Sequence, residues 1–418
     1  MEDRAQSTTS EDAPPGKSPN KFQRVFRHRD FRLLWGGAFV SFSGSWVQTI
    51  AQQYLVYEMT KSYELLSYVA AASMMPTTIL GPFLGSVTDM FDRRKLLVLC
   101  QTVFSLCALY LAAATYFGFI QYWHIMVVAM INGVTGVVEI PTRQSIIGRV
   151  VPREDLANAI PLNALTFNIA RPLGSAIGAV ILAGMGVPAC YLLNGLTFFA
   201  LIFAVLAIRS DLSATAREPQ PIWDLVSEGA RYTFREPRLR ALIIAEGMVS
   251  IFGLFYMTQT AAIASDMLGR PKDLGYLMVA QGIGAISALV LVLAMSHLQI
   301  RGLLIRIAVA LIGVFLILLG YAHSMLVALP IYFVLGMVSV AIFNTVNTLF
   351  QTLAPERLRG RVISMHNWAL GGLGFIGAIL LGTLAGRTSL PFAIQCGGVI
   401  VLATAGYLWL SRSVLEGV

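Results

Sequence analysis

Twelve apolar stretches, each long enough to cross a bilayer, run through this chain, and no water-soluble fold has a use for so many. A spanning helix needs about twenty mostly apolar residues. Such segments fall at about 32–57, 64–88, 95–117, 123–148, 156–183 and 188–209. Six more follow at about 239–264, 273–296, 302–322, 325–353, 362–386 and 389–411. Only 12% of the residues are charged, where a soluble domain carries about a quarter. Lipid must therefore be the solvent for much of the surface. The expected fold class is an all-α membrane protein of twelve transmembrane helices.

Charge placement gives these helices a direction. Of 30 Lys and Arg, 25 fall on the side of the amino terminus, including Lys21 to Arg32, Arg93–Arg94–Lys95, Arg209 to Arg240 and Arg357–Arg359–Arg361. The opposite side receives Lys61, Arg270, Lys272 and Arg387, and Arg171 stands alone inside a span. By the positive-inside rule both termini are cytoplasmic. The net charge of +8 is thus a collar flanking the membrane rather than one patch, which argues against nucleic acid as a partner. Residues 1–30 are polar and read as a disordered cytoplasmic tail.

The chain divides into two similar halves, an amino-terminal bundle over 31–209 and a carboxy-terminal bundle over 239–418. Phe31-Arg32-Leu33-Leu34 before the first helix matches Leu239-Arg240-Ala241-Leu242 before the seventh. Val151–Ile160 after the fourth matches Ala354–Ile363 after the tenth. Two parallel six-helix repeats are the signature of transporters whose site lies between them near the midplane. In the joining loop, 210–238, Trp223, Val226, Ala230 and Phe234 recur at helical spacing opposite Asp224, Glu228, Arg231 and Arg235. A short helix on the membrane surface, or a solvated linker, is expected there.

Between the second and third helices runs Gly81-Pro82-Phe83-Leu84-Gly85-Ser86-Val87-Thr88-Asp89-Met90-Phe91-Asp92-Arg93-Arg94-Lys95. It resembles the cytoplasmic signature of the major facilitator superfamily: Gly85, Asp89, Arg93 and Arg94 match, while Met90 and Asp92 depart from it. Small Gly81 and Gly85 would allow close helix packing, and Asp89 would face the amino-terminal dipole of helix eleven. The resemblance implies that this loop locks the cytoplasmic side in the outward-open state. The opposing loop near Ser296–Arg306 has no matching acid. Phe31–Tyr57, Glu139–Ala179 and Pro355–Asn367 are similar to the exporter branch that includes enterobactin exporters and drug:proton antiporters. That resemblance implies a major facilitator fold of two pseudo-symmetric bundles and proton-coupled efflux of a siderophore, drug or secondary metabolite by alternating access. It also implies residence in the cytoplasmic membrane of a bacterium. A lysophospholipid flippase or a solute importer of the same fold is the alternative. Antiporters of this kind often carry Gly-Pro in helix five; here Gly174-Ser175-Ala176-Ile177-Gly178 keeps the small residues, and the proline stands at Pro172.

Ionisable groups within spans cost about 2.5–3.5 kcal/mol or more near a helix centre, so each calls for a reason. Arg171, with Asn168 one turn before it, is either a donor fork for an anionic or carbonyl-rich substrate or the partner of Glu139. Glu139 and Glu246 are the candidate coupling carboxyls, with structural pairing the alternative for each. Candidate cavity-lining residues are Gln48, Gln52, Tyr54, Asn163, Gln259, Asn344, Asn347 and Asn367, with Asn132, Gln281, His366 and Trp368 behind them. Any one of these is more often interhelical glue than a ligand contact. Gly371, Gly372, Gly374 and Gly377 suggest close packing or a bend in helix eleven. The four cysteines sit in apolar stretches without metal spacing, the histidines form no zinc pattern, and no phosphate-binding loop occurs. The expected partners are therefore a small molecule, protons and lipid, with no cofactor and no enzymatic chemistry, and the expected state is a monomer.

Overall fold

The computed structural model describes residues 24–87, 91–213, 222–294 and 300–411, except for the side chains of 82–87, 222–226 and 293–294. Every regular element among the described residues is helical. In the first half they are α1 (Arg29–Thr60), α2 (Tyr63–Val87), α3 (Arg93–Tyr116), α4 (Tyr122–Val150), α5 (Leu156–Gly184) and α6 (Val187–Ala207). A linker helix, Ile222–Arg235, leads into the second half. There α7 is a composite: Pro237–Met248, a π turn at Val249–Gly253, short segments Phe255–Thr258 and Thr260–Ala262, and a second π turn at Ile263–Met267. After it come α8 (Leu274–Ala294), α9 (Arg301–Leu319), α10 (Met325–Leu353), α11 in two pieces (Arg359–Gly372 and Gly374–Arg387) and α12 (Leu390–Leu410).

The helices begin and end within a few residues of the expected spans. Ten of them, α3 to α12, are long and apolar enough to cross a membrane. The other two, at 32 and 25 residues, have the length but are diluted by polar side chains such as Ser41, Gln48, Gln52 and Gln53 in α1 and Ser73, Thr77 and Thr78 in α2. Apolarity alone therefore supports ten of the twelve. Packing repeats between the halves: α3 lies on α6 as α9 lies on α12, and α2 on α4 as α8 on α10. The halves meet along two equivalent seams, α2 with α11 and α5 with α8.

Small residues set how closely helices approach, both at these seams, where a Cβ added at Gly282 would overlap Pro172 and one at Gly382 would overlap Ser67, and within each half. A Cβ added at Gly174 would overlap the Ser43 carbonyl of α1, and one at Gly377 would overlap that of Ile251 on α7, so helix five keeps its close-packed face without a Gly-Pro pair. Gly81 is different: a Cβ there would meet open space, which overturns the close-packing role expected of it. Gly85 and Asp89 lie outside the described side chains. The linker helix exposes Arg231, Phe234 and Arg235 on one side and is docked on the other. Gly229 packs on the Arg361 backbone, and Glu228 pairs with Arg357 at 2.9 Å and with Arg361, docking this helix on the start of α11.

Candidate functional site

Arg171 sits in the middle of α5, where the helices of the two halves come together. Its guanidinium lies over the Trp46 ring of α1, 4.8 Å from the centroid. One terminal nitrogen is 3.8 Å from Sδ of Met257 on α7. Nε is buried without a hydrogen-bond partner, and no carboxylate among the described residues pairs with the group. A cation–π contact offsets about 2 kcal/mol when desolvated, which is small against the cost of an unpaired charge away from water.

The expected alternative, a pair between Arg171 and Glu139, does not form. Glu139 accepts from Nε of Arg143 at 2.9 Å, one turn along α4, and both are buried. Arg143 also donates to Oδ1 of Asn163 at 3.2 Å and lies over Phe42. Glu139 and Asn163 thus belong to an α1–α4–α5 brace inside the first half. Asn168 donates to the carbonyl of Ala164 at 2.9 Å, bonding its own helix. The i, i+4 spacing of Glu139 and Arg143 makes their pairing the geometrically easy one.

Several expected lining residues are glue instead. Gln48 is buried and accepts from Asn194 of α6 at 2.6 Å. Gln259 is fully buried and donates to Oγ of Ser67 at 2.7 Å and to the carbonyl of Tyr63 at 3.1 Å. Gln281 donates to the Tyr256 hydroxyl at 2.6 Å, beside the edge-to-face pair of Tyr256 with Tyr332 at 5.2 Å. Asn344 donates to the Val340 carbonyl, and Asn347 accepts from Gln351, each at 2.9 Å. Gln52 and Tyr54 are half-buried and Asn367 is exposed. Glu246 and His366, 120 residues apart, meet between α7 and α11 with His366 Nδ1 2.8 Å from the carboxylate.

Hydrogen bonds between the halves close one end of the molecule. At the face bearing Lys61 and Arg270, Asp266 on the second π turn of α7 accepts from Tyr57 of α1 and from Tyr63 of α2, the latter at 2.6 Å. Gln53 donates to the Met257 carbonyl at 3.1 Å, and Thr383 of α11 donates to Glu64 of α2 at 3.3 Å. None of these residues was singled out from the sequence, because nothing local marks a residue whose partner lies two hundred or more positions away. Toward the basic face, the hydrogen bond described between the halves is Thr78 to the Gly372 carbonyl, at 2.5 Å.

The matched motif residues Arg93 and Arg94 work within the first half. Arg93 donates to Oγ of Ser145 at 3.0 Å and to the Ser213 carbonyl at 2.7 Å. Arg94 reaches the Ile208 carbonyl at 2.7 Å, so a cation satisfies the carboxyl end of α6, as the helix dipole favours. On the same face Asp155 accepts from His28 at 2.8 Å and pairs with Arg24 at 2.8 Å. The His28 hydrogen bond, and then Arg24, hold the Asp155 carboxyl below its ordinary range.

Known proteins place this geometry in context. A family model described as transmembrane secretion effector matches residues 23–415. The staphyloferrin A transporter of Staphylococcus aureus is 22% identical over 80% of this chain and 84% of its own. The multidrug efflux pump Tap of Mycolicibacterium fortuitum is 24% identical over 86% and 90%. Among solved structures, the nucleoside transporter NupG aligns with a TM-score of 0.71 at 15% identity, over 93% of this chain and 99% of that one. A bacterial homologue of the lysosomal transporter Spinster, inward-facing and occupied, aligns with a TM-score of 0.71 at 12% identity, over 95% and 98%. At such identities the structural likeness speaks for the fold.

Proposed function

The chain belongs to the transmembrane secretion effector family of membrane transporters, and from that premise we propose that it exports a small anionic molecule in exchange for protons by alternating access. Bundles 31–209 and 239–418 rock about the midplane, joined by the 210–238 linker. With the basic face cytoplasmic, as the charge asymmetry argues, the sealed Asp266 face is external and the described state faces inward. The Asp89 loop serves as the opposing gate when the external face opens. No chemical transformation is involved.

One observation carries the reading: Arg171 is a half-buried guanidinium, touched by helices of both halves, whose buried Nε has no partner and which meets no carboxylate among the described residues. A bidentate anion placed there gains charge-assisted hydrogen bonds and ties its own binding to the junction that must move. The efflux reading also draws on relatives named as an efflux pump and a staphyloferrin transporter.

Everted membrane vesicles energised to an acid interior, reported by quenching of an acridine dye, test direction, coupling and substrate class together. A carboxylate-rich siderophore added outside should release the quench, a neutral macrolide should do so less, and a lysophospholipid should not. Losing one charge-assisted contact of about 1.5–3 kcal/mol predicts that Arg171→Ala needs roughly 10–100-fold more substrate for the same response. A wild-type response from Arg171→Ala would overturn the anion site. A response only in right-side-out vesicles would make the protein an importer.

A further inference from the structure

We propose that Glu246 and His366 together form the proton-binding site of the carboxy-terminal half, a couple that alternates between one and two bound protons as α7 and α11 move. The inference rests on the transport reading above but on different residues. Glu246 is 0% and His366 2% exposed, and Nδ1 of the imidazole lies 2.8 and 2.9 Å from the two carboxylate oxygens. Two titratable groups in contact, sealed from water, share protons as one unit.

The surroundings leave the couple electrically alone. Over their full lengths α10 and α12 carry no charged side chain, contributing only Tyr332, Cys396 and Tyr407 as titratable groups. On the remaining elements packed here the charges stand toward the ends. Arg238 and Arg240 begin α7, and Arg359 and Arg361 begin α11. The described side chains of the linker helix add Glu228, Arg231, Tyr232 and Arg235, with Glu228 already paired to Arg357 and Arg361. On α2, Glu64 and Tyr68 lie at the far face, bonded to one another. Among the described residues no fixed charge therefore compensates a change of charge at the couple.

The proton balance follows. With one proton the pair is imidazolium–carboxylate, or imidazole–carboxylic acid, and carries no net charge. A second proton, taken from water, gives imidazolium beside carboxylic acid, a net charge of +1. The first state suits a dry interior. The second is costly there and favours a conformation in which the site is wet, and release to water restores the first. Loading a proton thus biases a conformational equilibrium, which is what coupling requires.

The backbone is built to open at this spot. The first π turn of α7 starts three residues after Glu246, and α11 breaks at Leu373, two turns after His366. The two breaks pack on each other: Gly247 faces the Leu373 side chain, and Ser250 donates to the Leu370 carbonyl at 3.1 Å. Wide turns of this kind recur at functional sites, and here one on α7 packs against the break in α11.

The test is an infrared pH titration of the purified full-length protein in lipid, with protons as the only ligand. Between about pH 5 and 9, where a histidine-linked couple is expected to titrate, one buried carboxyl should gain and lose its proton. That signal should vanish in Glu246→Gln. In His366→Gln it should persist with its midpoint moved by about one unit or more. His366→Gln also guards against a Glu246 variant that fails to fold, since each variant is read only if it elutes as a single species. A pH difference spectrum of Glu246→Gln that matches the wild type, or no carboxyl titrating in the window, overturns the proposal. Failure of siderophore transport alone would strike the export reading and leave this result standing.

Discussion

Removing the Asp266 carboxylate should tip the molecule toward opening at its external face, and the size of the effect can be worked from the contacts. Asp266 accepts two hydrogen bonds, from Tyr57 and Tyr63, and both donors belong to the opposite half. Hydrogen bonds to a charged acceptor are worth about 1.5–3 kcal/mol each when buried. Asp266 is exposed, so solvent competes and about 1 kcal/mol apiece is the fairer figure. In Asp266→Ala the total of about 2 kcal/mol shifts the ratio of open to closed external faces roughly 30-fold. Spin labels at Ser62 and Thr388, in a background lacking the four native cysteines, would report the distance between the halves across that face. A state too rare to see in the parent should become a clear second distance peak. An unchanged distribution, with the protein intact, would show that the two tyrosine bonds do not hold the halves together.

Further outcomes follow from packing and from the basic face. A Cβ at Gly336 would overlap the Gln281 carbonyl, so Gly336→Ala should destabilise by about 1–3 kcal/mol, whereas Gly81→Ala, facing open space, should not; melting in detergent compares them. Asp155, held below its ordinary value by His28 and Arg24, contributes stability that is present above about pH 4 and lost as the pH falls below it. Hydrogen exchange over residues 24–31 should therefore stay slow from pH 8 to 5 and speed up below 4, while Asp155→Asn should be fast throughout. Disrupting the linker dock with Glu228→Gln should raise exchange in Ile222–Arg235 without altering α3 or α6, because its partners Arg357 and Arg361 lie at the start of α11.

Hydropathy located the helices because lipid imposes one length and one polarity on every span, and neither depends on a partner. It could not show the π turns of α7, since Val249–Gly253 and Ile263–Met267 contain nothing that breaks a helix by itself. At the first of them the packing is tertiary: Gly377 lets α11 press on the Ile251 carbonyl, and Ser250 bonds across to Leu370. The same division holds among polar residues. Glu139 and Arg143 are one turn apart, a spacing at which sequence alone makes pairing easy. Glu246 and His366 were singled out separately, but their contact spans 120 positions. Arg171 was legible as a charge in a span; that it lacks a carboxylate could be known only once Glu139 was seen to be engaged elsewhere. Asp266 sits at a helix end, where an acid raises no question, and so its role as a clasp left no trace in the sequence pattern.

The external seal has an energetic consequence. Seven hydrogen bonds described between the halves lie on the external side of the midplane, made by Gln53, Gln259 twice, Tyr57, Tyr63 and Thr383 twice. At about 0.5–1.5 kcal/mol each, together they hold that face closed by roughly 3.5–10 kcal/mol. A transporter that cycles needs its two states within a few kcal/mol of each other, so the opposite state must form bonds of similar worth on the basic face. The α2–α3 loop with Asp89, together with the amino end of α11, holds the residues with the chemistry to make them, which is a physical reason for so many charges to gather there. The second proton at the Glu246–His366 couple would act in the same balance, adding a cost to the dry, described state that is relieved only when α7 and α11 part.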